Sequence, residues 1–167
     1  KNPRVRHSKN IFNQNYININ SGGIQGYNGL ILTEDGKVYT YSPRDNMTGL
    51  NKGTSDYEEL KIKEGETVKE IETQVGLSLV LLDNGEVYGW GYNTYGILGE
   101  GYEVGGIYPT PVKLKLENVR TMTLGDNFAI FETFAGEVYG IGTNDYGQLG
   151  TGNNVGASDF VRCEELE

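Results

Sequence analysis

The stretch GEVYGWGYNTYGILG at residues 85–99 returns as GEVYGIGTNDYGQLG at residues 136–150. A worn copy opens with GKVYTYS at residues 36–42. Anchored on the shared glycine, Gly36 to Gly85 is 49 residues and Gly85 to Gly136 is 51. A period of this size is the mark of a supersecondary unit that cannot bury its apolar face alone and must stack on its neighbours, as in solenoids, propellers and related arrays.

Within the repeat, Glu86-Val87-Tyr88-Gly89-Trp90-Gly91 reads as a strand, because β-branched and aromatic residues fit a pleated surface. Alternation puts Val87, Gly89 and Gly91 on one face and Tyr88 and Trp90 on the other. The third copy repeats the division, with Val138, Gly140 and Gly142 opposite Tyr139 and Ile141. The first sets Val38, Thr40 and Ser42 against Tyr39 and Tyr41. No face is charged, so both should be covered, the bulky one filling the gap between sheets and the small one permitting close approach. Before each copy lies an apolar run and a turn: 29–32 before Glu34-Asp35-Gly36, 77–82 before Asp83-Asn84-Gly85, and 128–131 before Phe134-Ala135-Gly136. Asp-Gly and Asn-Gly are strong hairpin signals and Ala-Gly a weaker one. Hairpins are expected near 28–42, 77–91 and 127–142. The pattern fits an all-β fold of β-propeller blades, each a sheet of four antiparallel strands.

These residues resemble the regulator of chromosome condensation repeat family. Val87, Tyr88, Trp90, Gly91, Asn93, Gly96, Leu98 and Gly99 carry the likeness in the second copy. In the third, Ile141 takes the tryptophan place, and Asn144, Gly147, Gln148, Leu149 and Gly150 keep the loop. Gly85, Gly91, Gly96, Gly99, Gly136, Gly142, Gly147 and Gly150 are thus read, with Trp90, as structural positions. The first copy departs after Tyr41, and the family's usual histidine before the apolar strand is missing from every copy. The resemblance covers residues 15–167 and implies seven-bladed-type propeller repeats. At this period the chain holds about three of them. Three blades do not close a ring, so the expectation is a partial propeller, with two bare sheet faces completed by other segments or other chains.

Residues 1–14 are polar and patternless, which reads as a linker or disordered end. Tyr16–Asn20 alternates as a strand. Residues 43–59 read as loop, and strands are expected at 67–74, 112–116 and 119–124. Val68, Ile71 and Val75 also have helical spacing, but repeat logic favours a strand there. Residues 100–110 read as a loop ended by Pro109-Thr-Pro111, and the third loop runs to Ser158. Phe160–Cys163 matches Pro111–Leu114 of the preceding repeat.

The net charge of −9, from 23 acidic and 14 basic residues, repels a phosphate backbone and argues against a nucleic-acid partner. The single cysteine, Cys163, excludes an internal disulfide framework and a cysteine metal cluster. The single histidine, His7, stands in the patternless start, so no histidine triad or metal site is expected. No catalytic residue, cofactor site or metal site is proposed, since the glycine pairs lack the helix and lysine of a phosphate loop. No apolar run is long enough to cross a membrane and no secretory core region is present, so a soluble protein is expected, cytoplasmic or secreted. Asn46-Met47-Thr48 fits the glycosylation acceptor triplet, a pattern that often arises by chance.

The functional hint lies in tyrosines of the long loops: Tyr92, Tyr95, Tyr102, Tyr108 and Tyr146. Tyrosine adds rigid contact area with a polar tip and is enriched at interfaces. Tyr95 and Tyr146, at equivalent positions, read first as packing their own loops, whereas Tyr92, Tyr102 and Tyr108 lack repeat equivalents and are the better binding candidates. The reading is a non-enzymatic protein-binding platform. The resemblance also admits guanine nucleotide exchange on a small GTPase, or a secreted propeller that inhibits an enzyme.

Overall fold

The computed structural model describes residues 16–22, 28–74 and 76–164; the expected linker at 1–14 and His7 lie outside them. The described residues form three four-stranded antiparallel sheets. The first contains β1 (Tyr16–Gly22), β2 (Asn28–Thr33), β3 (Val38–Tyr41) and β4 (Glu58–Leu60). The second contains β5 (Val68–Gln74), β6 (Leu77–Leu82), β7 (Val87–Tyr92) and β8 (Ile107–Lys113). The third contains β9 (Val119–Leu124), β10 (Phe128–Thr133), β11 (Val138–Gly142) and β12 (Ala157–Arg162). Within each sheet the spatial order follows the sequence. The inner strand β5 packs on β1 and β2, and β9 packs on β5 and β6. The architecture is that of stacked propeller blades.

The two faces of the repeated strand separate as the alternation requires. Trp90 is fully buried, in one apolar cluster with Leu30, Leu32 and Val38 of the first blade and Ile71, Val80 and Leu82 of its own. Its indole N–H donates to the Met47 carbonyl at 3.1 Å. Val87, on the other face, joins a second cluster with Met122, Ala129, Phe131 and Ile141 of the third blade. The small residues serve the loop more than the sheets. A Cβ on Gly89 would come within 2.5 Å of Leu98 Cδ2, and one on Gly140 within 3.0 Å of Leu149 Cδ2. The long loop therefore folds its own leucine back over the glycine, and that leucine fills the gap.

All eight glycines singled out from the repeat have positive φ. At Gly91 (φ 104) a Cβ would strike the Gly76 carbonyl oxygen, and at Gly142 (φ 106) it would approach Asn127 O. The chain closes here on the neighbouring turn, as Tyr92 N–H donates to Gly76 O at 3.1 Å and Thr143 N–H to Asn127 O at 2.9 Å. The β2–β3, β6–β7 and β10–β11 hairpins share one turn. Gly36, Gly85 and Gly136 donate to the residue three positions earlier, and only the glycine takes positive φ. This is a type I turn with a bulge glycine, not the two-residue turn that Asp-Gly suggests. Because residue i+2 keeps negative φ, Ala135 occupies it as readily as Asp35 does.

Two strand boundaries differ from expectation. β4 forms within the stretch read as the end of a loop, where three residues suffice to close the first sheet. The last strand of the second blade is 107–113, not 112–116, and includes Pro109 and Pro111. It lies at the sheet edge, where a missing N–H costs no ladder bond. The prolines sit in a register shift between Gly89↔Val112 and Gly91↔Tyr108. The third blade has the matching shift between Gly140↔Val161 and Gly142↔Ala157. Leu114 and Leu116 are still buried, but in the connection rather than in the strand.

Blades are joined at both rims. On the turn rim, Val68 N–H donates to Gly36 O at 2.9 Å and Val119 N–H to Gly85 O at 3.0 Å. On the other rim, Asn51 N–H of the first long loop donates to Pro109 O at 3.1 Å. Gly99 of the second loop lies against the Phe160 ring, where a Cβ would come within 2.8 Å of Cε2. Trp90→Ala removes the largest side chain between the first two blades and should cost about 3–5 kcal/mol. Urea unfolding checks it; a loss under about 1 kcal/mol would show that the indole does not bridge the blades.

Candidate functional site

The three long loops, residues 42–57, 93–106 and 143–156, project from one rim, together with the short β5–β6 and β9–β10 turns. Each of the second and third loops is built around a buried asparagine. Asn93 Oδ1 accepts the Leu98 N–H at 2.9 Å, and its Nδ2 donates to Glu103 O at 2.9 Å. Asn144 Oδ1 accepts the Leu149 N–H at 2.8 Å, and its Nδ2 reaches Asn153 O at 2.8 Å and Val155 O at 3.1 Å. The asparagine thus ties the leucine to the far side of the loop. The first loop lacks it and uses shorter ties. Thr48 Oγ1 donates to Lys52 O at 2.6 Å, Gly53 N–H donates to Asp45 Oδ1 at 2.8 Å, and Thr54 Oγ1 accepts Ser42 N–H at 3.1 Å. Thr48, the hydroxyl residue of the glycosylation triplet, is therefore buried and engaged.

Of the five tyrosines read as lying outside the strands, Tyr92 is the last residue of β7 and Tyr108 lies within β8, while Tyr95, Tyr102 and Tyr146 are in the loops. Tyr102 and Tyr108 meet edge to face, 5.3 Å between centroids. Tyr102 Oη donates to Lys113 O at 2.5 Å, and Tyr108 Oη accepts the Glu103 N–H at 2.7 Å. Both are half-buried and clamp the second loop to β8. Tyr95 and Tyr146 stand at the same place in successive loops and point outward, 43% and 93% exposed. Tyr146 stands clear of its loop, whereas Tyr95 is partly covered and lines a cleft together with Thr94 and Ile97 of its own loop. Tyr92 is half-buried, over Gly76.

Tyr92 and Tyr95 line a cleft of about 310 Å³ between the second and third blades. Its floor is Leu77, Ile97 and Leu124, and Asp126 stands on the β9–β10 turn at its far side. The cleft joins residues from three separate segments, 74–77, 92–97 and 124–127. Asp126 and the turns carry no motif, so only the repeat geometry could have revealed it. Among the described residues, no group of three or more His, Cys, Asp or Glu side chains could hold a metal ion. Cys163 is a buried thiol outside any disulfide, and its S–H reaches Val161 O at 3.7 Å.

On the opposite rim Glu86 is held by two lysines, Lys63 Nζ at 2.8 Å and Lys113 Nζ at 3.3 Å. The Lys63 hydrogen bonds are the main cause that lowers the Glu86 carboxyl to about 2; desolvation opposes them, and Asn84 and Lys113 add to the lowering. Lys63 belongs to the connection that leads into the second blade, so this pair fastens one blade to the next at its turn.

The sequence profile of the regulator of chromosome condensation (RCC1) repeat matches residues 84–131 and 135–162. The chain carries RCC1 repeats. A zebrafish protein RCC2 homolog is 27% identical over 142 residues, 83% of this chain and 28% of that protein. The crystal structure of human WBSCR16 superposes with a TM-score of 0.75 at 24% identity, covering 90% of this chain and 38% of that one. Yeast RCC1 (Prp20), solved bound to Kap60, gives 0.71 at 18% identity, covering 87% of this chain and 36% of that one. At these identities the structural likeness speaks for the fold. The chain spans well under half of each of these relatives. Among the described residues no helix is long and apolar enough to cross a membrane.

Two predictions test the loop and rim geometry. Asn93→Ala leaves the Leu98 N–H and Glu103 carbonyl without their side-chain partner, and should cost about 1–3 kcal/mol; thermal or urea unfolding with no measurable loss would refute the anchor. The lowered carboxyl of Glu86 contributes stability that is present above its unfolded value of 4.5 and is lost as pH falls towards about 2. Wild type should therefore exceed Glu86→Gln in urea midpoint at neutral pH by a small margin, since the carboxylate is near solvent. The margin should shrink as pH is lowered through this window, and a constant margin would remove Glu86 as its source.

Proposed function

We propose that this chain is a non-enzymatic protein-binding platform whose contact surface is the rim of long loops. The observation that carries the reading is the pair Tyr95 and Tyr146. Each projects from a loop whose backbone is tied by a buried asparagine, and each is exposed. An aromatic ring held out on a fixed loop loses little conformational freedom on binding. Tyr92 lies beside Tyr95 on the same rim, while Tyr102 and Tyr108 hold the loop in place. All five belong to one binding unit, three as contacts and two as supports. Yeast RCC1 (Prp20), with the same fold, has been solved bound to a protein, Kap60, which is in keeping with this use of the fold. Other segments or chains would complete the propeller.

The test is quantitative capture from source lysate with the complete protein, comparing wild type with a Tyr95→Ser/Tyr146→Ser double variant. The double variant should lose most of the captured partner with its unfolding midpoint unchanged. Equal capture would sink the rim as the contact surface. Capture of a small GTPase that added GTP releases would instead move the reading to nucleotide exchange.

A further inference from the structure

We propose that the cleft between Tyr92, Tyr95 and Asp126 receives the guanidinium side chain of an arginine from a basic segment of the protein partner. This rests on the binding-platform reading above and names the chemistry of its partner. The volume of about 310 Å³ sits at the low end of the roughly 300–1,000 Å³ common for ligand pockets. It leaves room for one long side chain. The floor of Leu77, Ile97 and Leu124 is apolar and matches the methylene stem of such a side chain. Two tyrosines, Tyr92 and Tyr95, line the cleft, and aromatic rings attract planar cations. Asp126 is exposed, and no salt bridge to it is found among the described residues, so its carboxylate is available for the fork of a guanidinium.

The surroundings select for a cation. Across the rim segments 43–57, 93–106, 125–127 and 143–156, six acidic side chains stand against Arg44 and Lys52; Glu100 is paired with Lys115 at 3.3 Å and Lys52 with Glu58 at 2.6 Å. A cation approaching this rim is therefore attracted, and an anion is repelled. A neutral apolar side chain could fill the floor but would leave Asp126 unused.

The experiment is a titration of the isotope-labelled full chain, followed by amide chemical shifts. The probe is acetyl-Gly-Arg-Gly-amide, and the control is the same peptide with citrulline, which keeps the shape and removes the charge. The arginine peptide should shift the Thr94, Tyr95 and Asp126 amides saturably, and citrulline should bind at least about fivefold more weakly. Asp126→Asn and Tyr95→Ala should each weaken arginine binding by about fivefold or more, whereas Phe134→Ser on the opposite rim should not. Shifts confined to other residues, no shift, or equal binding of citrulline would overturn the proposal. If that happens while the Tyr95→Ser/Tyr146→Ser variant still loses its partner, the platform stands without the arginine pocket. If the double variant also keeps its partner, both readings fall.

Discussion

The indole of Trp90 is where one repeat reads another. It is fully buried between the first two blades, and its N–H must find an acceptor or incur a desolvation cost. The acceptor is the Met47 carbonyl at 3.1 Å, in the one long loop that has lost the asparagine. Leu60 and Gly49 close around the ring; a Cβ on Gly49 would come within 3.2 Å of it. The first loop can therefore diverge in sequence only while it presents a carbonyl and a bare backbone at this point. At the equivalent position of the third blade Ile141 has no N–H to satisfy, and the second loop supplies Ile97 and Leu98 to the same apolar cluster. What a loop must offer is set by the residue that the next blade turns towards it.

The same dependence explains what could be read from the chain beforehand. Periodicity and alternation located the hairpins, because Val87, Gly89 and Trp90 answer to two packed neighbours and leave a pattern that survives even in the worn copy. The edge strands did not follow suit. β4 and β8 are at sheet margins, where Glu58, Glu59, Pro109 and Pro111 are tolerated and the sequence need not alternate. The register shift opposite Trp90 further breaks any period. The tyrosines were legible as a group but not as individuals. Tyr102 and Tyr95 are both loop residues in a glycine-rich stretch, and only the position of the Lys113 carbonyl decides that the first is a clamp. The cleft was hidden for a related reason. Leu77, Ile97 and Leu124 read as core, and Asp126 as a turn former, until two blades place them side by side.

Rigidity and exposure are reconciled in the loops by a division of labour. Asn93 and Asn144 are wholly buried and satisfy backbone groups that would otherwise need water. Leu98 and Leu149 carry the apolar burial. The tips at Tyr95 and Tyr146 remain exposed and can meet another surface. A loop already fixed in this way gives up little entropy when it binds. This is why an outward tyrosine on such a loop carries more weight than one on a mobile segment.

Charge is divided between the rims in a complementary way. On the turn rim, acidic and basic groups neutralise one another locally: Glu86 with Lys63 and Lys113, Arg120 with Glu132, Arg162 with Glu137, and Lys37 with Asp35. Those pairs are at the surface, so each adds little stability. On the loop rim, Glu103, Asp126 and Asp145 form no such pairs among the described residues, and the negative potential extends outward to about the Debye length of roughly 8 Å at physiological salt. The exposed tyrosines and the cleft stand on the rim that carries these three carboxylates. On the proposed reading, a basic segment would be steered to that rim before any contact forms, and Tyr92, Tyr95 and Asp126 would decide which of its side chains is held.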